Sequence, residues 1–249
     1  MLRPALCLCL CLVAAPAVAA PGGDQQRYAE CMALARSKPA EGWENALAWQ
    51  SLGGGEAARH CGAVALIGQG EYEEGAMRLE ALAQDSRRTA AVRAGMLAQA
   101  AQAWSLARQP QQALHDQTLA LTLTPKDVDL LIDRATTASE INDSRAAIAD
   151  LDQAARLAPK RADIHALRAS AWRLQGDLAA AERDIVTALK LDPNQADALL
   201  ESGITARLRG NIAQARRAWI KLLQVAPDSP AAEVARQNIE MLDVRGAGN

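Results

Sequence analysis

Proline recurs along this chain at a fixed interval, and that interval restricts the possible folds more than any other feature. Four of the ten prolines stand 34 residues apart, at Pro125, Pro159, Pro193 and Pro227. Proline lacks a backbone N–H and cannot continue a helix, so each one marks the end of an element. An interval of 34 residues fits two helices with their turns. The spacing therefore predicts an array of helix pairs.

Small residues follow the same interval. Eight of them occupy two registers where paired helices would approach each other: Ala101, Ala135, Ala169 and Gly203, then Ala113, Ala147, Ala181 and Ala215. Between the two registers a turn is marked by Asn142, Gly176 and Gly210, with Arg108 at the same place in the earliest clear copy. The chain is half apolar but only 3% aromatic, with no Phe, which favours closely packed helices over sheets.

These registers resemble the tetratricopeptide repeat (TPR) family, whose unit has small residues at positions eight, twenty and twenty-seven and Pro at position thirty-two. The resemblance implies an all-α fold, a right-handed α-α superhelix of stacked antiparallel helix pairs. It divides the chain into unit 1 (56–89), unit 2 (94–127), unit 3 (128–161), unit 4 (162–195) and unit 5 (196–229). Unit 1 has Arg87 where Pro is expected. Four extra residues, 90–93, should lengthen the first helix of unit 2.

Further segments flank the five units. Residues 20–55 are predicted to form a degenerate helix pair, with helices over 25–37 and 40–52 separated by Pro39. Residues 231–243 are predicted to form a closing helix that covers the last apolar face. Residues 244–249 are expected to be a flexible tail.

The first nineteen residues resemble a secretory signal. Arg3 precedes an apolar run over 5–15 that is too short to span a bilayer, and small residues fill 17–19 at the expected cleavage site. We expect cleavage after Ala19, export to the periplasm and no stable membrane insertion afterwards. The alternative is an uncleaved membrane anchor.

Cysteine usage agrees with export. Cys7, Cys9 and Cys11 fall within the signal, which leaves Cys31 and Cys61 in the mature chain. An even pair in an exported protein indicates one disulfide, and stacked repeats would bring the two first helices side by side. Two unrelated thiols are the alternative. A metal site at this pair is not expected, because a fourth ligand and ligand-pair spacing are missing.

Residues for catalysis are sparse. The three histidines, His60, His115 and His165, are scattered, and the glycines at 53–55 lack the Lys of a phosphate-binding loop. We therefore expect no enzymatic activity and no cofactor, with a thiol enzyme based on His60 and Cys61 as a remote alternative. The formal net charge of −2 gives no reason to expect a nucleic-acid partner.

If the geometry of the resembled family carries over, positions two, five, nine, twelve and thirteen of each first helix face a concave groove. The predicted peptide groove comprises Asp129, Ile132, Thr136, Glu140, Asp163, Ser170, Arg173, Asp197, Leu200, Ile204 and Arg207. Its three aspartates either favour the helix N-termini or form an acidic row for a basic peptide. Ile132, Leu200 and Ile204 are expected to contact the peptide, whereas Leu174 and Leu208 could pack between first helices.

Together these features predict a non-catalytic periplasmic protein that binds a protein or peptide through its concave groove. The alternative is a structural or assembly subunit of a cell-envelope complex that docks by its outer face. Both functions are inferred from the fold and not from a reacting group.

Overall fold

The computed structural model describes residues 21–246, which form thirteen α-helices and no strand. In chain order these are α1 (Pro21–Ser37), α2 (Pro39–Ser51), α3 (Gly55–Gly68), α4 (Tyr72–Asp85), α5 (Ala90–Leu106), α6 (Pro110–Leu123), α7 (Val128–Glu140), α8 (Ser144–Leu157), α9 (Ala162–Gln175), α10 (Leu178–Leu191), α11 (Ala196–Leu208), α12 (Ile212–Val225) and α13 (Pro230–Gly246). Sequential helices pack against one another along the chain. The predicted all-α solenoid of stacked helix pairs is confirmed. The signal segment 1–19 and residues 247–249 lie outside the described residues.

The prolines and the turn residues fix where the helices end. Helices α6, α8, α10 and α12 each stop two residues before one of the four periodic prolines. The turns within units 1 to 5 contain Gly70, Arg108, Asn142, Gly176 and Gly210, and all five have positive φ. This left-handed conformation ends the first helix and reverses the chain into the second.

Both ends of the array differ in detail from expectation. Helix α5 begins at Ala90, so the four extra residues form one additional turn at its start. Helix α13 continues to Gly246, so residues 244–246 belong to the closing helix. The prediction of a flexible tail from 244 is therefore wrong for these three residues, because no proline or turn residue stops the helix before Gly246.

The eight small residues of the two registers are all buried between paired helices. Gly203 shows why size matters there, because the indole of Trp219 occupies the space that a side chain would need. Trp219 is itself fully buried and donates its indole N–H to the carbonyl of Leu200 at 3.2 Å. The small register thus admits a large side chain from the opposite helix.

Buried ion pairs connect the helices of units 3 and 4. Arg168 donates from Nε and Nη2 to the carboxylate of Asp184, at 2.8 and 2.6 Å, and from Nη1 to Asp152 of the preceding unit at 2.7 Å. Arg134 binds Asp150 in the same bidentate manner, at 2.8 and 2.7 Å. Bidentate guanidinium–carboxylate pairs satisfy charges that would otherwise be costly to bury.

Unit 2 has the carboxylate of this arrangement without the arginine. Asp116 stands 34 residues before Asp150, but Ala100 occupies the position where units 3 and 4 carry arginine. Asp116 is fully buried, and neither carboxyl oxygen has a hydrogen-bond partner among the described residues. Burial, and then the carboxylate of Glu80, raises the pKa of Asp116 to about 8. The fold therefore keeps this acid protonated at neutral pH.

Candidate functional site

The eleven predicted groove residues lie on the first helices α7, α9 and α11, and none is fully buried. Asp129, Thr136, Glu140 and Asp197 are exposed, and the other seven are half-buried. The predicted positions therefore reach the surface, but their contacts differ from what a receptive groove would need.

The row of aspartates is neutralised over two of its three members. Arg161, at the end of unit 3, donates from Nη1 to Asp129 at 2.5 Å and from Nη2 to Asp163 at 2.6 Å. The hydrogen bond from this guanidinium holds the pKa of Asp163 below its usual range. The expected acidic row for a basic peptide is thus reduced to Asp197, because Arg161 pairs with its neighbours. Periodicity could not reveal Arg161, since it lies outside the repeated positions.

The charged residues further along the groove also contact each other. Arg173 donates from Nε and Nη2 to the buried carboxylate of Glu201, at 2.6 and 3.1 Å, and to the hydroxyl of Ser170 at 3.2 Å. Arg207 is the equivalent arginine of unit 5, and its Nε is buried without a partner among the described residues. The position equivalent to Glu201 on α13 is Ala235. Arg173 therefore joins α9 to α11 and is not open to a ligand.

The apolar residues of the groove have exposures opposite to those expected. Ile132, Leu200 and Ile204 are half-buried and pack against the core, the last two in a cluster that includes residues of α13. Leu174 and Leu208 are instead 47% and 52% exposed. The expectation for both groups was wrong, because the closing helix shields α11 while the ends of α9 and α11 project beyond their neighbours.

A pocket that the repeat pattern did not indicate lies at the other end of the array. This N-terminal pocket has a volume of about 470 Å³ and is formed by α1, α3 and the start of α5. Its apolar floor consists of Ala57, Val92, Gly95 and Met96. Because α1 packs closely on α3 whereas α3 and α5 make few direct contacts, the pocket occupies the gap between the latter two.

Three polar side chains bridge the first helices along one side of the N-terminal pocket. The hydroxyl of Tyr28 hydrogen-bonds with Nδ1 of His60 at 2.9 Å, and Nε2 of His60 hydrogen-bonds with Oε1 of Gln99 at 3.0 Å. Since Oε1 only accepts, His60 carries its proton on Nε2 and accepts from Tyr28. Burial lowers the pKa of His60, so the ring is neutral at pH 7.

The two mature cysteines lie directly beneath the N-terminal pocket. Cys31 is one turn after Tyr28, Cys61 follows His60, and both are fully buried. Their Cα atoms are 6.1 Å apart, and the sulfur atoms are in bonding contact, which is the placement that a disulfide requires. This bond would join α1 to α3 and leave no thiol beside His60 for catalysis. The oxidation state stays a prediction that thiol titration tests.

The remaining candidate residues do not form a second site. His115 is exposed on α6, and His165 contacts Asp184 at 3.3 Å within the ion pairs of unit 4. Over residues 21–246, no three His, Cys, Asp or Glu side chains come together as a metal site would require. Within the same residues, no helix has the length and hydropathy needed to cross a membrane.

Thirteen helices in 34-residue pairs, with a groove along the first helices, define a TPR solenoid. Among solved structures, PilF of Pseudomonas aeruginosa is similar over 87% of this chain and 99% of its own length, with a TM-score of 0.60 and 15% identity. A TPR protein named YrrB, described as having an unusual peptide-binding site, matches over 76% of this chain and 96% of its own, with a TM-score of 0.56 and 19% identity.

MamA of Desulfovibrio magneticus RS-1 is also similar, over 68% of this chain and 93% of its own, with a TM-score of 0.57 and 17% identity. No protein-family model and no curated protein sequence matches the chain. At these identities the likeness concerns the fold, and it confirms the predicted TPR architecture.

Proposed function

We propose that this protein is an exported, non-catalytic scaffold that binds a protein or peptide segment along its concave surface. The observation that carries this proposal is the N-terminal pocket, which opens across α1, α3 and α5 with an apolar floor and polar edges. Exposed Leu174 and Leu208 extend the apolar surface toward the other end. The likeness to YrrB, whose description mentions peptide binding, supports the same function.

Export is part of this proposal and rests on the sequence. A charged start, a short apolar run and small residues before position 20 supply the parts of a signal. The paired placement of Cys31 and Cys61 fits an oxidising compartment. Sequencing the N-terminus of the exported protein should return a chain that begins near Ala20. A chain that begins at Met1 would contradict export with cleavage.

A second candidate function, docking by the outer face, is favoured by one observation. A cavity of about 490 Å³ lies between α10, α11 and α12, and it includes Val186, which is 62% exposed. The hydroxyl of Thr205 at this cavity is buried without a hydrogen-bond partner among the described residues. A partner that inserts a polar group there would satisfy it.

One capture experiment separates the two functions. Protein purified from the periplasm is immobilised, exposed to periplasmic extract and analysed by mass spectrometry, and the main partner is then measured for direct binding. The groove variant Leu174→Glu with Leu208→Glu and Gly95→Trp should lose that partner. The outer-face variant Val186→Glu should retain it. The reverse result would favour docking by the outer face, provided that circular dichroism shows both variants folded.

A further inference from the structure

The wall of the N-terminal pocket comes from a part of the chain that no other unit possesses. The additional turn 90–93 begins α5 one turn early, and Val92 from this turn, with Arg88 just before it, closes the pocket on that side. The first helices α7, α9 and α11 have 13 or 14 residues, whereas α5 has 17. The other units therefore lack the wall, and the pocket occurs once along the groove.

The floor of the pocket is open because Gly95 has no side chain. A Cβ atom built at Gly95 would meet no atom within 4 Å, so the space above it is unfilled. Glycine inside a helix costs about 1 kcal/mol relative to alanine, and nothing in the local packing of α5 requires it. The volume of about 470 Å³ lies within the range of roughly 300–1,000 Å³ that ligand pockets occupy.

The charges at the edge of the pocket are unequal. Asp24 of α1 and Glu56 of α3 supply two carboxylates, and Arg88 supplies one guanidinium. Only one oxygen of Glu56 is engaged, as Oε2 accepts from the hydroxyl of Ser86 at 3.0 Å. This edge contrasts with the central groove, where Arg161 already occupies the carboxylates of Asp129 and Asp163.

The opposite edge offers hydrogen bonds suited to a peptide backbone. The bond from His60 uses only the oxygen of the Gln99 amide, so its NH₂ group can donate to a carbonyl. Tyr28 donates to His60, which leaves lone pairs on its oxygen that can accept a backbone N–H. The fixed His60 ring sets the orientation of both neighbours.

From these four features we infer that the N-terminal pocket is the specificity site of the groove. It takes an extended peptide that places a large apolar side chain over Gly95 and an adjacent Lys or Arg against Asp24 and Glu56. This inference rests on the proposed function, because it names the ligand class of the same concave surface. It differs in assigning selectivity to the N-terminal end, where the pattern of repeats indicated none.

The test is a selection from a random dodecapeptide library displayed on phage. The library is selected on protein purified after expression of the full chain, and the enriched peptides are synthesised and measured by fluorescence anisotropy. We expect them to share a basic residue next to Leu, Ile, Met or Phe. Gly95→Trp should fill the pocket and weaken their binding at least tenfold. Ile220→Trp, which adds the same bulk on the exposed side of α12, should leave it unchanged.

A second variant tests the charge separately from the space. Asp24→Asn with Glu56→Gln keeps the shapes and the hydrogen bond from Ser86 but removes both negative charges. It should weaken the basic peptides at least tenfold and leave uncharged analogues within twofold. Melting temperatures and helicity close to those of the unmodified protein show that each variant is folded.

The outcomes distinguish the two proposals. If no sequence is enriched on the folded protein, peptide binding by the groove is wrong, and this inference falls with it. If peptides are enriched but bind Gly95→Trp normally and lose affinity with Leu174→Glu and Leu208→Glu, the proposed function stands and the pocket is not its specificity site. Enriched peptides that are acidic, or indifferent to Asp24→Asn with Glu56→Gln, would overturn the assigned ligand class.

Discussion

The two halves of this solenoid share one backbone plan but use their charged residues differently. In units 3 to 5, Arg134, Arg168 and Arg173 hold carboxylates of their own or neighbouring units. In the N-terminal half, Asp116 is buried without such a partner, and the carboxylates of Asp24 and Glu56 line an open pocket. Charge thus holds the C-terminal half together, while the N-terminal half relies on other contacts and keeps charged groups available.

The largest expected effect concerns the bond that would replace ion pairs in the N-terminal half. A Cys31–Cys61 disulfide spans 30 residues, which corresponds to about 3–4 kcal/mol in the chain-entropy model. Cys31→Ser with Cys61→Ser should therefore raise amide hydrogen exchange strongly in α1 to α3. Exchange in α9 to α12 should stay unchanged, because stacked repeats couple mainly to their nearest neighbours.

Thiol chemistry provides the control for this prediction. Alkylation of the exported protein without prior reduction should label neither Cys31 nor Cys61. Labelling of both would show that the halves do not differ by a disulfide. Equal acceleration of exchange in α9 to α12 would instead show that the whole array unfolds as one unit.

The next effect concerns the buried carboxyl of unit 2. Its pKa of about 8 in the fold exceeds the unfolded value of about 4, so the unfolded chain binds fewer protons between these pH values. The contribution of Asp116 to the free energy of unfolding therefore falls as pH rises from 4 to 8 and stays constant above. Asp116→Asn should gain about 1–2 kcal/mol at pH 8 and lose this pH dependence, as measured by urea unfolding at several pH values.

The matched control lies in unit 4, where the equivalent carboxylate is paired. Asp184→Asn removes the charge that Arg168 binds, and it should destabilise the protein by about 2 kcal/mol at pH 8. Opposite signs for these two variants would sharpen the contrast between the halves. If Asp116→Asn is also destabilising at pH 8, Asp116 has a partner in solution and the contrast is wrong at this position.

The smallest effect concerns the arginine that neutralises the central groove. Arg161→Gln removes two partly exposed ion pairs, and such pairs contribute about 1 kcal/mol or less. Because the pKa of Asp163 is lowered in the fold, its stabilising contribution is present above pH 4 and is lost as pH falls below. The urea midpoint of Arg161→Gln should therefore lie below that of the unmodified protein at pH 7 and coincide with it near pH 2. A difference that persists at pH 2 would show that Arg161 stabilises the fold by packing.

The sequence predicted the fold well because the repeat specifies both the helix ends and their packing. Pro159 and Pro193 stop the second helices, Gly176 allows the turn, and Ala169 and Ala181 fit where two helices approach. Each of these is a local requirement of backbone or size, so one residue type at one register is informative. Only the closing helix, which has no such marker, ran three residues past its predicted end.

The candidate site could be predicted only in part, because contacts between side chains are not periodic. Arg161 lies in a linker, yet it decides whether Asp129 and Asp163 are available. The residues of the N-terminal pocket come from three helices that do not share a repeat consensus. One signal was present: comparison of equivalent positions shows Ala100 opposite Asp116, where later units carry Arg134 and Arg168.

The additional turn at the start of α5 has a consequence for how a long ligand could lie on this surface. A strictly periodic groove offers equivalent placements displaced by whole units, so an extended ligand could slide between them with little difference in free energy. One longer helix removes that equivalence, because Val92 and Arg88 occur at one place only. Four inserted residues thereby give a repetitive molecule a single origin from which position along its length can be measured.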